Sequence, residues 1–402
     1  MSMVHKYFTI ACLPAALLVP GLAWADEPPP AVQALLANLE RQVAAKPSYE
    51  ALSVDGAGNV TITNLTLTLL PSGENPGFTF KTGEMALSDI AEQGAGFWEV
   101  GAARFTNTAL EINGGDVAIS VSVPNSSAEG WFIRELSANP SPQEKLMSAG
   151  TFARKMAGGP VNITSNGQTV NIDSLETTWD GDPATGAGTF TSKISNVAIP
   201  ESVLTLMGEG GMLRQLGYSA LNLDLASNGA LSVNGDKLGY DFGFTVTARD
   251  MGSLGIKGAV ADIPVDAYNA LMQAQQDGET ADLDVYGPEL AGVVINGAAL
   301  RFEDASILGK LLPLIAASQG MDEKTMVASI PPTLQLMLVQ MQNEAFTAQA
   351  VEAVTRFLAD PKSITISLKP PERLTVSDFT ALDQTKPGEA ISRLGLTVTA
   401  ND

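Results

Sequence analysis

The sequence predicts an α+β protein in which repeated antiparallel β-strand pairs form curved sheets capped by helices. Three observations carry this. Several stretches alternate apolar and small polar residues with period two. Two strand-to-helix junctions share an Ile-Pro step. A third, "LRFEDASILGKLL" (300–312), passes from strand to helix with no loop between them.

In chain order, "AVQALLANLERQVAA" (31–45) has the spacing of an amphipathic helix after an "EPPP" linker. "NVTITNLTLTLL" (59–70) sets Leu65, Leu67 and Leu69 against Thr66 and Thr68. "DVAISVSVP" (116–124) sets Val117, Ile119, Val121 and Val123 against Ala118, Ser120 and Ser122. Such alternation marks antiparallel strands with one packed and one wet face. "SPQEKLMSAGTFARKMA" (141–157) reads as a helix, with Ser141 and Glu144 as a capping box and Pro142 at its first position. The "NPSP" at 139–142 is the expected domain boundary. The expected organisation is therefore a signal segment over 1–25, a helix plus β-rich domain over 26–140, and a repeated strand–strand–helix domain with a C-terminal helical cap over 141–402.

Within that last part, strands in 161–199 end in "NVAIPESVLTLM" and strands in 218–263 end in "VADIPVDAYNALM". Proline suits the start of a helix, where its missing N–H has no intrahelical acceptor. Turn chemistry separates the strands of each copy, "DGDPATGAG" in the first and "SNGALSVNGDKLG" in the second. A third strand pair is expected in 281–302, followed by a cap of helices from 303 to 361 that is kinked or broken at Pro331-Pro332. Phe346, Ala350, Val354, Phe357 and Leu358 share one side of its last helix. "SITISLKPP" (363–371) and "RLGLTVTA" (393–400) close the sheet.

"YDFGFTVTA" (240–248) places Tyr240, Phe242, Phe244 and Val246 on one face. Full burial of such side chains is worth roughly 1.5–3 kcal/mol each. A helix that begins where a strand ends folds back over that face with little loop entropy to offset. The tight join at 300–312 is thus expected to bring a helical lid over the sheet. Phe244→Asp is expected to unfold the protein or strongly destabilise it by placing a charge beneath that lid.

The first 25 residues have the pattern of a secretory signal: Lys6, the apolar run "YFTIACLPAALLVP", and Ala23-Trp24-Ala25 before the expected cleavage after Ala25. Periplasmic localisation is expected, with no transmembrane segment remaining after cleavage. His5 and Cys12 are the only histidine and cysteine, and both lie in this segment. Without them, Ser–His–Asp and Cys–His nucleophiles, thiol redox chemistry, disulfides and zinc sites built on His or Cys are excluded. The chain beyond Ala25 carries a net charge of −22, from 22 basic and 44 acidic residues. That balance opposes nucleic acid as a partner.

"NGAALRFEDASILGKLLPLIAASQG" and "AVTRFLADPKSITISLKPPERL" resemble a family of uncharacterised exported proteins of alphaproteobacteria. The resemblance rests on the run Phe302–Leu308 and on Phe357-Leu358-Ala359-Asp360-Pro361 before a Thr/Ser-alternating strand. It covers mainly the C-terminal two fifths. More distantly, the repeated strand units resemble YdgA-like and AsmA-like envelope proteins, whose repeated β units form curved grooves. The resemblance implies a periplasmic envelope role and brings no catalytic residues with it.

Candidate chemistry is sparse. "DGDPATGAG" has two aspartates at calcium-loop spacing, but Ala184 and Thr185 stand where a ligand and a glycine belong, so a turn is expected. Asp282 and Asp284 are expected as solvated residues on one strand face. "GEGGMLR" (208–214) follows a helix and lacks the Gly-Lys-Ser/Thr ending of a phosphate loop. Met321, Met326, Met337 and Met341 cluster in the cap, a composition seen in core packing and in adaptable binding surfaces. An outer-membrane barrel is not expected, because several helices interrupt the strands.

The leading expectation is a non-enzymatic envelope protein, without cofactor or metal, that holds a lipid or other apolar ligand in a groove between sheet and cap. Phe242, Phe244, Leu334, Met337, Leu338 and Met341 are the candidate lining residues. One alternative is a scaffold binding another envelope protein through its acidic surface. Another is a hydrolase that works with carboxylates alone.

Overall fold

The computed structural model describes residues 27–43, 45–71, 77–114, 117–135, 152–206, 210–276, 283–383 and 385–402. The expected signal segment and the expected boundary at 139–142 lie outside these residues. The chain is α+β and mostly antiparallel β, and it divides into two compact units. The first comprises 1–204 with 269–281, and the second 205–268 with 282–402.

The first unit begins with helix α1 (Pro30–Val43). Its strands are β1 (Ala51–Val54), β2 (Val60–Leu69), β3 (Gly77–Gly94), β4 (Phe97–Gly114), β5 (Val117–Arg134), β6 (Ala153–Gly158), β7 (Val161–Ser165), β8 (Gln168–Gly181) and β9 (Gly188–Pro200). They pair in the order β1-β2-β3-β4-β5-β6-β8-β9, and β7 fills the rest of the lane between β5 and β8. Residues 153–157, expected in a helix, form β6 instead; the rest of that expected helix lies outside the described residues up to Thr151. Its strand pairing with β5 and β8 overrides a helical pattern of local residues.

Helix α1 places Val32, Leu35 and Leu39 on Ile62, Leu65, Met85, Leu87 and Val100, forming the main core of this unit. The alternation that builds this face changes phase along each strand. In β2, Val60 and Ile62 are buried at even positions, then Leu65 and Leu67 at odd ones. Asn64 sits between them in the left-handed region, with φ 49°. Gly83 stands opposite it on β3, and Asn107 (φ 52°) stands opposite Gly83 on β4. A second such line joins Asp89 (φ 57°) to Gly101, where a Cβ would come within 2.7 Å of the Asp89 Cβ. Asn and Asp tolerate this conformation better than other residues with side chains. Because adjacent strands reverse their pleat at matched positions, register is kept and the same face stays buried.

The first Ile-Pro junction runs from β9 into helix α2 (Glu201–Leu206), as expected, and helix α3 (Gly210–Gln215) follows. The second unit's strands are β10 (Ala220–Asn234), β11 (Lys237–Ala248), β12 (Gly252–Pro264), β13 (Val294–Asp304), β14 (Ser363–Leu368) and β15 (Leu396–Ala400), each pairing antiparallel with the next. The second junction runs from β12 into helix α4 (Val265–Gln276), after three strands rather than the two expected. The expected third strand pair is corrected as well. Residues 283–290 form helix α5 (Leu283–Leu290), so Asp284 is helical and β13 stands without a local partner.

The cap comprises helices α6 (Ile307–Ser318), α7 (Glu323–Val339) and α8 (Glu344–Ala359). Helix α7 continues through Pro331 and Pro332, where a kink or a break was expected, so of the two the break does not occur. Thr333 Oγ1 donates to the Ser329 carbonyl there, engaging one acceptor next to the prolines. Helices α9 (Val376–Thr380) and α10 (Pro387–Leu394) precede β15. Gly395, left-handed at φ 58°, ends α10 and turns the chain into that strand.

The join at 300–312 is held by one backbone carbonyl. The N–H groups of Ala305, Ser306 and Ile307 all donate to the Met251 carbonyl, at 3.0, 3.2 and 3.2 Å. Asp304 Oδ1 accepts from the Leu308 N–H at 2.9 Å and so caps α6. Tyr218 shares a hydrogen bond with Ser306 Oγ at 3.0 Å, and Lys310 lies 3.5 Å from the centre of the Tyr218 ring. The β11–β12 turn therefore anchors the start of the cap.

Candidate ligand-binding face

One face of the second unit's sheet is apolar from β11 to β15. Strand registry aligns Phe244, Ile256, Leu300, Ile366 and Val398 in one transverse row. The next row runs Val246, Leu254, Phe302, Ile364 and Ala400. Helix α8 covers the β15 end. Ala350, Ala353 and Phe357 bury Val398 and Ala400, with Phe302 and Ile364 packed around them. The Phe357 ring meets Phe302 edge-on at 6.2 Å. The two sequence runs that carry the resemblance thus touch in the core.

At the β11 end, Tyr240 stacks on Phe242 with ring centres 5.8 Å apart. Burial pushes the Tyr240 phenol above its ordinary range, and Tyr268 on α4 lies near enough to add to this. Burial likewise raises Tyr268. Phe242 lies across Gly258, where a Cβ would fall 2.4 Å from the ring. Only glycine leaves Phe242 this position.

Between these ends the face is open. Phe244 is 40% exposed, Leu254 44%, Ile256 43%, Leu300 41% and Ile366 44%. This corrects the expected lid over Phe244. The cap helices are committed to one another and to the β14–β15 edge: α6 packs on α7, α7 on α8, and α8 on β15 and β14. Isolated exposed apolar residues are ordinary, but five large ones in register on four adjacent strands form a patch.

The opposite face has no such vacancy. Arg301 bonds Glu303 at 2.7 Å, Thr365 at 3.1 Å and the Asp402 carbonyl at 2.9 Å. Ser253 donates to Glu303 at 3.3 Å, and Ser367 shares a hydrogen bond with Thr397 at 2.7 Å. Any molecule covering the other side would meet apolar side chains.

Of the six residues expected to line a groove, Phe242 and Phe244 belong to this face. Leu338 packs with the α8 cluster at the β15 end, four strands away from β11. Leu334 is half-buried on α7, while Met337 and Met341 are exposed. Sequence reading missed Leu254, Ile256, Leu300 and Ile366. Their alternation with Gly255, Lys257, Ala299 and Ser367 was the available signal.

Of the polar candidates, Asp282 lies outside the described residues and Asp182 resolves into local structure. Asp182 accepts from Ala184 N–H at 2.9 Å and from Thr185 Oγ1 at 2.9 Å, so its carboxylate closes its own turn. Among the described residues no group of three or more His, Cys, Asp or Glu side chains is placed to hold a metal ion. Asp55, Asp322, Asp378 and Asp383 are held below the ordinary carboxylate range by hydrogen bonds, from Asn59, Thr325, Thr375 and Thr385 respectively. The Arg301 hydrogen bond does the same for Glu303.

Among the described residues no helix is long and apolar enough to cross a membrane. No curated protein matches the chain. Residues 245–401, which include β12–β15, the cap and both resemblance-bearing runs, match the model of a family described only as an uncharacterized protein.

Proposed function

We propose that this is a non-enzymatic periplasmic envelope protein that holds a lipid acyl chain along the open face of β11–β14. The observation that carries this reading is the registered row of Phe244, Ile256, Leu300 and Ile366, with Leu254 beside it, left uncovered between Tyr240 and α8. Four strands at the usual spacing make the row roughly 14 Å long.

Magnitudes favour a long apolar occupant. Covering the exposed part of each of the five side chains is worth roughly 1 kcal/mol. A ligand touching one or two of them gains too little to offset the loss of translational and rotational freedom. An acyl chain spanning the row touches all five and adds about 0.8 kcal/mol for each of its own buried methylenes. The export pattern of residues 1–25 and the resemblance to envelope proteins support the location.

Native mass spectrometry of protein purified without detergent from the periplasmic fraction tests this. The expected result is an adduct of acyl-chain mass that organic extraction removes. A uniformly ligand-free mass, or absence from the periplasmic fraction, contradicts the proposal.

A further inference from the structure

The transverse row on the open face has two different ends. At β15 it runs under α8, where Val398 and Ala400 are buried. At the other end, registry carries it past Phe244 to Ser227 on β10, and carries the second row past Val246 to Leu225. The first row therefore reads hydroxyl, then Phe244, Ile256, Leu300 and Ile366, then a closed end. Ser227 is half-buried, and among the described residues its hydroxyl makes no hydrogen bond. An acyl chain lying in this row meets only hydrocarbon at β15. Its methyl end belongs there, and its polar end belongs at β10.

Charge selects what that polar end is. Both rows are uncharged from β10 to β14. Successive side chains of a strand point to opposite faces, so Lys257, beside Ile256, and Arg301, beside Leu300, point away from the rows. Lys237 pairs with Asp262 at 3.8 Å. A carboxylate or phosphate drawn onto this face loses water without gaining a cation, in a chain of net charge −21. An ammonium head fares no better, because the acids of these strands are engaged or turned away. Asp224 is held by Arg249 at 3.1 Å, Asp262 by Arg373 at 3.0 Å and Glu303 by Arg301 at 2.7 Å. Asp304 caps α6, and Asp241 lies on the opposite face. An uncharged head with an acceptor oxygen meets neither cost and gives the Ser227 hydroxyl a partner.

We propose that the occupant of the β11–β14 face is an uncharged acyl ester, seated with its methyl end toward α8 and its ester oxygens at Ser227. This rests on the reading of that face as an acyl-chain site and names the class of lipid it takes.

Calorimetric titration of the purified, delipidated protein at neutral pH tests it with three probes that share one tail: monolauroyl glycerol, laurate and dodecyltrimethylammonium. The ester is expected to bind at least about tenfold more tightly than either ion, which still bind weakly through the tail. Ser227→Ala is expected to weaken the ester about fivefold and to leave laurate unchanged. Ser227→Lys places an ammonium at the end of the row and is expected to reverse the ranking, with laurate now the tighter ligand. That gain is one that unfolding cannot imitate. Equal affinities for the three probes overturn the proposal, as does tighter binding of either ion to wild type. So does a ranking that Ser227→Lys leaves in place. If the three bind equally and all weaken in Phe244→Asp, the acyl-chain reading of the face stands and only the choice of head group fails. If none binds, or Phe244→Asp changes nothing, both fail together.

Discussion

The two units treat the same kind of strand differently. In the first, the apolar side of β2–β4 lies under α1, and Ile62, Leu65, Met85 and Val100 are 0% exposed. In the second, the apolar side of β11–β14 has equally large side chains, yet its central row keeps two fifths of its surface in water. The difference lies in the helices, not the strands. Helix α1 uses its apolar stripe on the sheet, whereas α6 and α7 use theirs largely on other helices, leaving α8 as the main sheet cover. Period-two patterning specifies that a face is apolar; it does not specify what covers it.

Equivalent substitutions on the two faces separate these cases most sharply. Leu65→Asp is expected to cost more than about 4 kcal/mol, because an unpaired charge is driven into a fully enclosed core. Trp98, Trp131 and Trp179 all lie in the first unit, so tryptophan fluorescence on thermal unfolding reads the loss directly. Phe244→Asp, at a position 40% exposed, is expected to cost only about 1 kcal/mol while removing the acyl-chain adduct. If the two variants lose similar stability, or Phe244→Asp keeps its adduct, the contrast between covered and open faces fails.

A smaller effect is expected at the α7 cap. Asp322 accepts from Thr325 N–H at 2.9 Å and from the Thr325 hydroxyl, and these bonds hold its pKa below the ordinary 3.8. A lowered folded pKa means stabilisation that is complete above that ordinary value and is lost as pH falls through the folded one. Asp322→Ala is therefore expected to lower the melting temperature by a few degrees at neutral pH. The gap should close as the medium is acidified below the ordinary aspartate range. A gap that stays constant from neutral to acidic pH would show that the carboxylate is not the capping group.

Several joins and stripes were legible in the sequence. Both Ile-Pro junctions, one in each unit, the cap by Asp304 and the stripe of α8 follow from local chemistry that the fold leaves intact. Residues 153–157 and 283–290 were not legible, because each exchanges a local preference for what the surrounding structure supplies. Nor were the left-handed residues Asn64, Asp89 and Asn107, whose reversal of the pleat depends on glycines placed opposite them on a neighbouring strand. The face itself was half legible. Phe242 and Phe244 stood out as aromatics, while Leu254, Ile256, Leu300 and Ile366 join them only through registry between distant segments. The expected partners on α7 shared a composition with the groove but not a place in it.

Photocrosslinking with a diazirine-bearing fatty acid, mapped by peptide mass spectrometry, tests the central claim most directly. Labels are expected on peptides containing Phe244, Leu254 and Ile256, Leu300 and Ile366, and are expected to fall together in Phe244→Asp. Labelling confined to the first unit, or spread evenly over the chain and indifferent to that substitution, would contradict the assignment of the open face as the binding surface.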